Sequence, residues 1–202
     1  MSTILEQLNH DTDALVETAH RALVEVRTAG GAGAGTIWHP DGLILTAAHV
    51  TQRNPMSVVL ADGRTLPARL IAYDRERDLA ALSVDAAGLP TVRIGDSHLL
   101  KPGEWVLALG HPWGILGAAT TGVFIGTESN RLGRSRTRRR WLVTNLPLRP
   151  GYSGGPLLDA QGRLIGINTM IAGLEVSLAV PVDDAKLFLR ERLGSRDLVS
   201  AA

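Results

Sequence analysis

Ser153 stands in the run Gly151-Tyr152-Ser153-Gly154-Gly155-Pro156. A hydroxyl carried on a turn of small residues is how several hydrolases expose a nucleophile, and the glycines around it let backbone N–H groups converge on the same point. Serine is a weak nucleophile at its ordinary pKa, so it needs a base within hydrogen-bond reach and a third group that orients the base. Six histidines could serve as the base, His10, His20, His39, His49, His98 and His111, and all of them precede Ser153.

Chain order separates the folds that share such a serine. The nucleophile elbow of α/β hydrolases, G-x-S-x-G, needs its histidine after the serine, so that reading fails. The orders His, Asp, Ser and Asp, His, Ser are left. His49 lies in Thr46-Ala47-Ala48-His49-Val50, directly after the apolar run Leu43-Ile44-Leu45, where small neighbours let an imidazole pack closely. His10 and His20 lie beside a predicted helix, His39 in the turn Trp38-His39-Pro40-Asp41-Gly42 and His98 in a polar connection, all read as surface positions. His111, in Gly110-His111-Pro112-Trp113-Gly114, is the second candidate base. The orienting carboxylate must be buried and accept from the imidazole Nδ1–H. Asp78 fits, because it follows Arg75-Glu76-Arg77 and opens the apolar run Leu79-Ala80-Ala81-Leu82; Asp74, earlier in the charged turn, reads as solvated.

The elements that must hold these groups are short. Runs of β-type residues at 23–27, 35–38, 43–46, 57–60, 68–73 and 79–84 make a first set of six predicted strands, and 105–109, 119–126, 141–144, 156–158, 164–171 and 176–180 make a second. Turn signals such as Pro40-Asp41-Gly42 and Asp62-Gly63 separate them, and little room is left for the helical crossovers that a parallel sheet requires. The Asp, His, Ser order, which goes with such a sheet, is therefore disfavoured. The expectation is an all-β protein of two six-stranded antiparallel barrels in one domain, 1–95 carrying the first and 96–202 the second. A short amphipathic helix capped by Asp11-Thr12-Asp13 opens the chain, and a second, capped by Pro181-Val182-Asp183-Asp184 and stopped by Gly194, closes it.

Composition narrows the chemistry further. The chain has 202 residues, 45% of them hydrophobic, enough for a sizeable core. It has no cysteine, which removes disulfides and thiolate chemistry together, and no metal or cofactor is expected. A net charge of +1 gives no global attraction to nucleic acid or membrane. The one dense cluster, Arg131, Arg134, Arg136, Arg138, Arg139 and Arg140, has no aromatic residue interleaved and reads as a solvated loop rather than a nucleic-acid site. The first residues lack a basic and then apolar leader, so the sequence as it stands reads as cytoplasmic, although an exported chain trimmed of its leader would read the same way.

Four blocks together resemble the HtrA/Deg family of trypsin-like serine proteases: Gly33 to Ile37 with Asp41 to Val50, Asp78 to Leu82, Leu107 to Gly114, and Arg149 to Leu158 followed by Gly162 to Thr169. The resemblance implies barrels packed perpendicular to each other, with a catalytic triad of His49, Asp78 and Ser153 in the cleft between them and an oxyanion hole from the Gly151 and Ser153 N–H groups. It also implies a loop-lining role for His111, and an acyl-side specificity pocket built from Pro147 and Leu148 with Ser177, Leu178 and Ala179 opposite. Thr169, Met170 and Ile171 are implied as the edge to which substrate adds a strand. No acidic residue falls among these pocket positions, so a small apolar side chain is expected on the acyl side of the cut bond. The implied activity is endopeptidase action on unfolded or misfolded polypeptides. A peptide-binding, chaperone-like pseudoprotease is the alternative, motivated by Tyr152 and Arg149, which both stand where the family has asparagine. The sequence stops at Ala202 without the family's PDZ domain, and the homotrimer that the family forms through N-terminal aromatic residues meets a chain whose first aromatic is Trp38.

Overall fold

The computed structural model describes residues 3–129, 140–173 and 176–194. Twelve strands among them close into two barrels, each of six antiparallel strands. The first barrel comprises β1 (Leu23–Thr28), β2 (Gly31–His39), β3 (Leu43–Thr46), β4 (Met56–Val59), β5 (Thr65–Asp74) and β6 (Leu79–Val84), in the order β1-β2-β3-β6-β5-β4. The second comprises β7 (Trp105–Gly110), β8 (Ala118–Ser129), β9 (Arg140–Thr144), β10 (Pro156–Asp159), β11 (Leu164–Gly173) and β12 (Val176–Pro181), in the order β10-β11-β12-β9-β8-β7. Closure leaves neither sheet with a free outer strand. The strand expectation holds in number and place, with most strands one to three residues longer at an end, as hairpin pairing carries the ladder into the turns.

Helix α1 runs over Ile4–Ala22. It starts well before the expected cap, so Asp11, Thr12 and Asp13 lie inside it. The sequence from Ile4 to Ala22 contains no glycine or proline, and apolar residues continue backward from Leu15 through Leu8 to Ile4 at helical spacing, so the three polar residues do not stop it. Its C-terminal part packs Ala19 and Ala22, both fully buried, against the first barrel.

Helix α2 (Val182–Leu193) lies against β11 and β12 on one side and β5 and β6 on the other, and so ties the barrels together. Phe188 and Leu189, wholly buried, join a hydrophobic cluster that runs from Trp38, Leu45 and Leu82 of the first barrel to Leu158, Ile167 and Val180 of the second. Asp183 does not cap this helix. Its carboxylate instead accepts from Ser97 N at 3.0 Å and Ser97 Oγ at 2.5 Å, fastening the connection between the barrels, and no side chain caps α2. At the other end Gly194, left-handed at φ 71°, donates its N–H to the Arg190 carbonyl at 3.2 Å. Of the arginine cluster, Arg131 to Arg139 lie outside the described residues; the Arg140 guanidinium opens β9 and donates to His98 Nδ1 at 2.6 Å.

Candidate active site

The candidate base is positioned by the segment after β3. Beyond Thr46 the chain turns through a single 3-10 turn, Ala48–Thr51, and Val50 N–H closes it onto the Ala47 carbonyl at 3.1 Å. His49 projects from this turn with 43% of its side chain exposed. Asp78 enters β6 from the tight turn after β5, in a left-handed conformation at φ 55°, which aspartate tolerates better than most residues. That turn is built by Asp74. Contrary to the expectation that it is solvated, Asp74 is only 9% exposed, because its Oδ1 accepts from Glu76 N and Arg77 N, both at 2.9 Å. A carboxylate paired with consecutive backbone donors at a turn is drawn inward.

Asp78 fixes His49 redundantly. Its carbonyl accepts from Ala48 N at 3.1 Å, its Oδ1 from His49 N at 3.0 Å, and its carboxylate faces His49 Nδ1 at 2.9 and 3.1 Å. Thr169 Oγ1 donates to the same carboxylate from the second barrel. The Nδ1 bond places the imidazole proton on Nδ1 and leaves Nε2 as the acceptor. It also raises the His49 pKa above its ordinary value against the opposing effect of burial.

The serine arrives from the other barrel. Arg149 O accepts from Tyr152 N at 3.1 Å around a turn with Pro150 second and Gly151 third, and Gly151 has φ 109°, the pattern of a type II turn. A Cβ on Gly151 would lie 2.5 Å from the His111 carbonyl oxygen, so this residue must be glycine on both counts. The loop is then clamped between the barrels. Ser153 O accepts from Ala34 N at 2.8 Å, and a Cβ on Gly154, at φ 88°, would run into Ala34 O and Thr46 Oγ1. Gly154 N and Gly155 O pair with Asn168 O and N at 2.7 and 2.9 Å on the β11 side. The glycine-alanine run of β2 is thus what lets the serine loop approach the first barrel.

Among the described residues, no protein group accepts from the backbone N–H of Gly151 or Ser153. Both donors are free for a ligand oxygen. Ser153 Oγ donates to Thr169 O at 2.9 Å, and no hydrogen bond joins it to His49 Nε2. His49 and Ser153 nonetheless line two cavities together, one on each side of them. One, of about 300 Å³, is walled by Leu148, Arg149, Tyr152 and Thr169. The other, of about 330 Å³, is walled by Thr28, Gly30, Gly33, Val50 and Arg53.

The remaining expected site residues divide. Leu148 and Thr169 are at the first cavity. Pro147 is exposed just outside it. Ser177 Oγ is bonded to Thr144 Oγ1 at 2.8 Å and is 1% exposed, while Leu178 and Ala179 are buried in the barrel core, so these three do not line the cavity. Met170 and Ile171 pair through β11 with Leu178 and Ser177. His111 lines neither cavity with Ser153 and makes no hydrogen bond to it. Its backbone N–H donates to Gly151 O at 2.9 Å and its Nδ1 accepts from Gly117 N at 3.2 Å under the Gly151 turn, while burial lowers its pKa. Tyr152 is 6% exposed and packs with Leu148 and Leu157; a Cβ on Gly110 would lie 2.6 Å from Tyr152 Cα, so that glycine makes room for it. Sequence reading missed Arg53, Val50 and Gly30, which line the second cavity where the β1–β2 hairpin approaches the 3-10 turn that carries His49.

Comparison with known proteins identifies the family. Residues 33–167 match the family model described as "Trypsin-like peptidase domain". The mitochondrial serine protease HTRA2 of Drosophila pseudoobscura pseudoobscura is 40% identical over 169 residues, covering 81% of this chain and 39% of that protein. The putative serine protease HhoB of Synechocystis sp. is 39% identical over 161 residues, covering 77% of this chain and 39% of that one. The chain therefore spans about two-fifths of the length of the curated relatives it matches. Among solved structures, the HtrA-type protease AlgW with tripeptide superimposes with a TM-score of 0.81 at 32% identity, covering 91% of this chain and 64% of that one. AlgW with decapeptide gives 0.80 at 28% identity over 87% and 66%. The chain thus belongs to the trypsin-like peptidase domain family and is similar to HtrA-type proteases.

Proposed function

We propose that the protein is a serine endopeptidase in which Ser153 is the nucleophile, His49 the general base and acid, and Asp78 its orienter. The observation that carries this reading is convergence: a fixed imidazole–carboxylate pair from one barrel, a glycine-borne hydroxyl from the other, and two unpaired N–H groups beside that hydroxyl. For attack, Ser153 Oγ leaves Thr169 O and turns about χ1 toward His49 Nε2, exchanging one hydrogen bond for another at a net cost of about 1 kcal/mol or less. Nε2 takes the hydroxyl proton as Oγ adds to the peptide carbonyl, and the Gly151 and Ser153 N–H groups hold the resulting oxyanion, about 3 kcal/mol per donor. His49 then protonates the leaving amine, and water resolves the acyl-enzyme by the same path.

Substrate recognition follows from the free side of β11. β10 pairs with β11 only as far as Ile167, whereas β12 continues to Gly173, so the β10-side edge from Thr169 to Gly173 can accept an added strand. Such main-chain reading favours extended, unfolded polypeptide. The cavity floored by Leu148 and Tyr152 beside this edge fits a small apolar acyl-side residue, and the Arg149 guanidinium, bonded to Leu148 O at 2.9 Å, disfavours lysine or arginine there. A peptide library cleaved mainly after Arg or Lys would overturn that preference. A homotrimer is the proposed assembly, and light scattering that shows monomer alone would remove it. The test of the central reading is an active-site-directed phosphonate: an adduct on Ser153, absent after Ser153→Ala, is the expected result. No adduct under any condition would leave the peptide-binding pseudoprotease as the reading of this cleft.

A further inference from the structure

We propose that Arg53 forms a subsite for a carboxylate on the leaving-group side of the cut bond. The inference rests on Ser153 being the nucleophile, but its geometry is separate. With the acyl part of a substrate on the Thr169 edge, the chain beyond Ser153 runs into the second cavity, of about 330 Å³, between the 3-10 turn that carries His49 and the tip of the β1–β2 hairpin. Arg53 is the charged side chain of that lining apart from His49, and no Asp or Glu joins it there. Arg53 is exposed, and among the described residues no carboxylate pairs with it.

Its placement is built rather than incidental. The hairpin tip is pinned by Thr28, whose Oγ1 accepts from Gly30 N and donates to Gly31 O, both at 3.1 Å. The Arg53 stem crosses this tip so closely that a Cβ on Gly30 would lie 2.8 Å from Arg53 Cδ and 3.4 Å from its Nε. The missing side chain of Gly30 is the slot in which the arginine lies. A guanidinium laid along a hairpin has already lost part of its rotamer freedom, and its planar fork matches a carboxylate in a way that an ammonium does not. Two sources present such a group just past a cut bond: an Asp or Glu side chain, or the free carboxylate of a polypeptide end. The shared chemistry is a carboxylate within one or two residues of the bond.

The test uses quenched-fluorescence peptides identical on the acyl side, with Glu, Gln or Lys in the first two positions beyond the cut, and a further pair ending there as free acid or amide. Wild type is expected to cleave the Glu peptide about tenfold faster in kcat/KM than the Lys peptide at low salt, with the ratio shrinking at about 0.5 M salt as exposed charges are screened. Arg53→Gln should abolish the ratio and Arg53→Glu should invert it. Gly30→Ala keeps the charge but pushes the arginine from its slot, so the ratio should fall while the fold stands. The readout is the Glu-to-Lys ratio and not the absolute rate, and its loss in a variant that still hydrolyses a small acyl ester, which has no peptide beyond the bond, assigns the loss to the leaving-group side. A preference for free acid over amide without one for Glu would assign the chain end as the source. Equal rates for Glu and Lys together with equal rates for free acid and amide in wild type, or a preference that survives Arg53→Glu, would overturn the proposal. Polarisation measurements with the same peptides on Ser153→Ala decide the subsite even if no turnover is seen. Tighter binding of the Glu or free-acid peptide that Arg53→Gln removes would support Arg53 while the peptidase reading fell, and equal affinities within both pairs would refute it.

Discussion

The two barrels deliver their share of the site in different states. The first barrel presents a finished unit: His49 is held by Asp78 through ring and backbone bonds, and Asp78 is held in turn by the Asp74 turn. The second barrel fixes the backbone of Ser153 just as firmly, through Ala34 on one side and Asn168 on the other, yet its hydroxyl faces Thr169 O rather than the base. Precision in the first case resides in side chains and in the second in main chain. Where the carboxylate and imidazole need a lasting geometry, the fold supplies several bonds. Where the proposed mechanism requires the hydroxyl to move, it leaves a single rotor held by one hydrogen bond.

The largest effect tests whether the two halves act as one machine. Ser153→Ala and His49→Ala should each lower kcat about 10⁵-fold, and the double variant should be no worse than either. Losses that add in free energy would mean that serine and imidazole work independently, and the barrel comparison would lose its basis.

Asp78→Asn attacks the first half alone. The amide can face Nδ1 with its N–H and so favour the wrong imidazole tautomer, and kcat should fall about 10⁴-fold with phosphonate labelling of Ser153 slowed alongside it. The pH profile carries a second signature. The bond to Asp78 raises the His49 pKa, so kcat/KM of the intact protein should climb with pH through a midpoint above the ordinary imidazole value and be lost below it. In Asp78→Asn the residual activity should show that midpoint moved down. Stability runs the other way: a raised histidine pKa contributes stability that is complete below the unfolded value and is lost as pH rises through the folded one. With His49 partly exposed, this contribution is small, and calorimetry should show only a slight fall in Tm across the window in which activity appears.

Gly154→Ala breaks the second half through its backbone. The new methyl would meet Ala34 O and Thr46 Oγ1 of the opposite barrel at a left-handed φ of 88°, so both strain and overpacking apply. About 3 kcal/mol of stability should be lost, seen as a Tm lower by roughly 6–12 °C for a chain of this size. An unchanged Tm would show that the serine loop is not clamped between the barrels.

What the sequence made legible came from local physics. Strands could be placed because turn residues such as Asp62-Gly63 punctuate them, and Asp78 could be chosen because an acid opening an apolar run must enter the core. Asp11-Thr12-Asp13 misled because capping residue types do not stop a helix whose apolar period continues behind them. Asp74 misled because its burial depends on two backbone donors that exist only once the turn has formed. Ser177 could not be told from a pocket residue, since its hydroxyl is satisfied by Thr144, thirty-three positions away. The run Gly30 to Gly35 carries no side chain that could do chemistry, and its two uses, admitting the serine loop and seating Arg53, are close approaches between segments that no local pattern reveals.

Thr169 is where the two halves meet, and it offers the finest test of the difference between them. Its hydroxyl donates to the Asp78 carboxylate, and its carbonyl accepts from Ser153 Oγ. Thr169→Val deletes the first contact and keeps the second at nearly equal volume. The carboxylate then loses a donor that shares its charge, so its pull on the His49 proton strengthens and the imidazole pKa rises further. The acid limb of kcat/KM should therefore shift up by less than about one pH unit, opposite in sign to Asp78→Asn, while kcat falls about three- to tenfold through looser seating of Asp78. A rate loss with no shift of the limb would place the threonine hydroxyl elsewhere in solution. A downward shift would mean that it serves the imidazole by another route than the carboxylate, and the first barrel would no longer be the self-sufficient half.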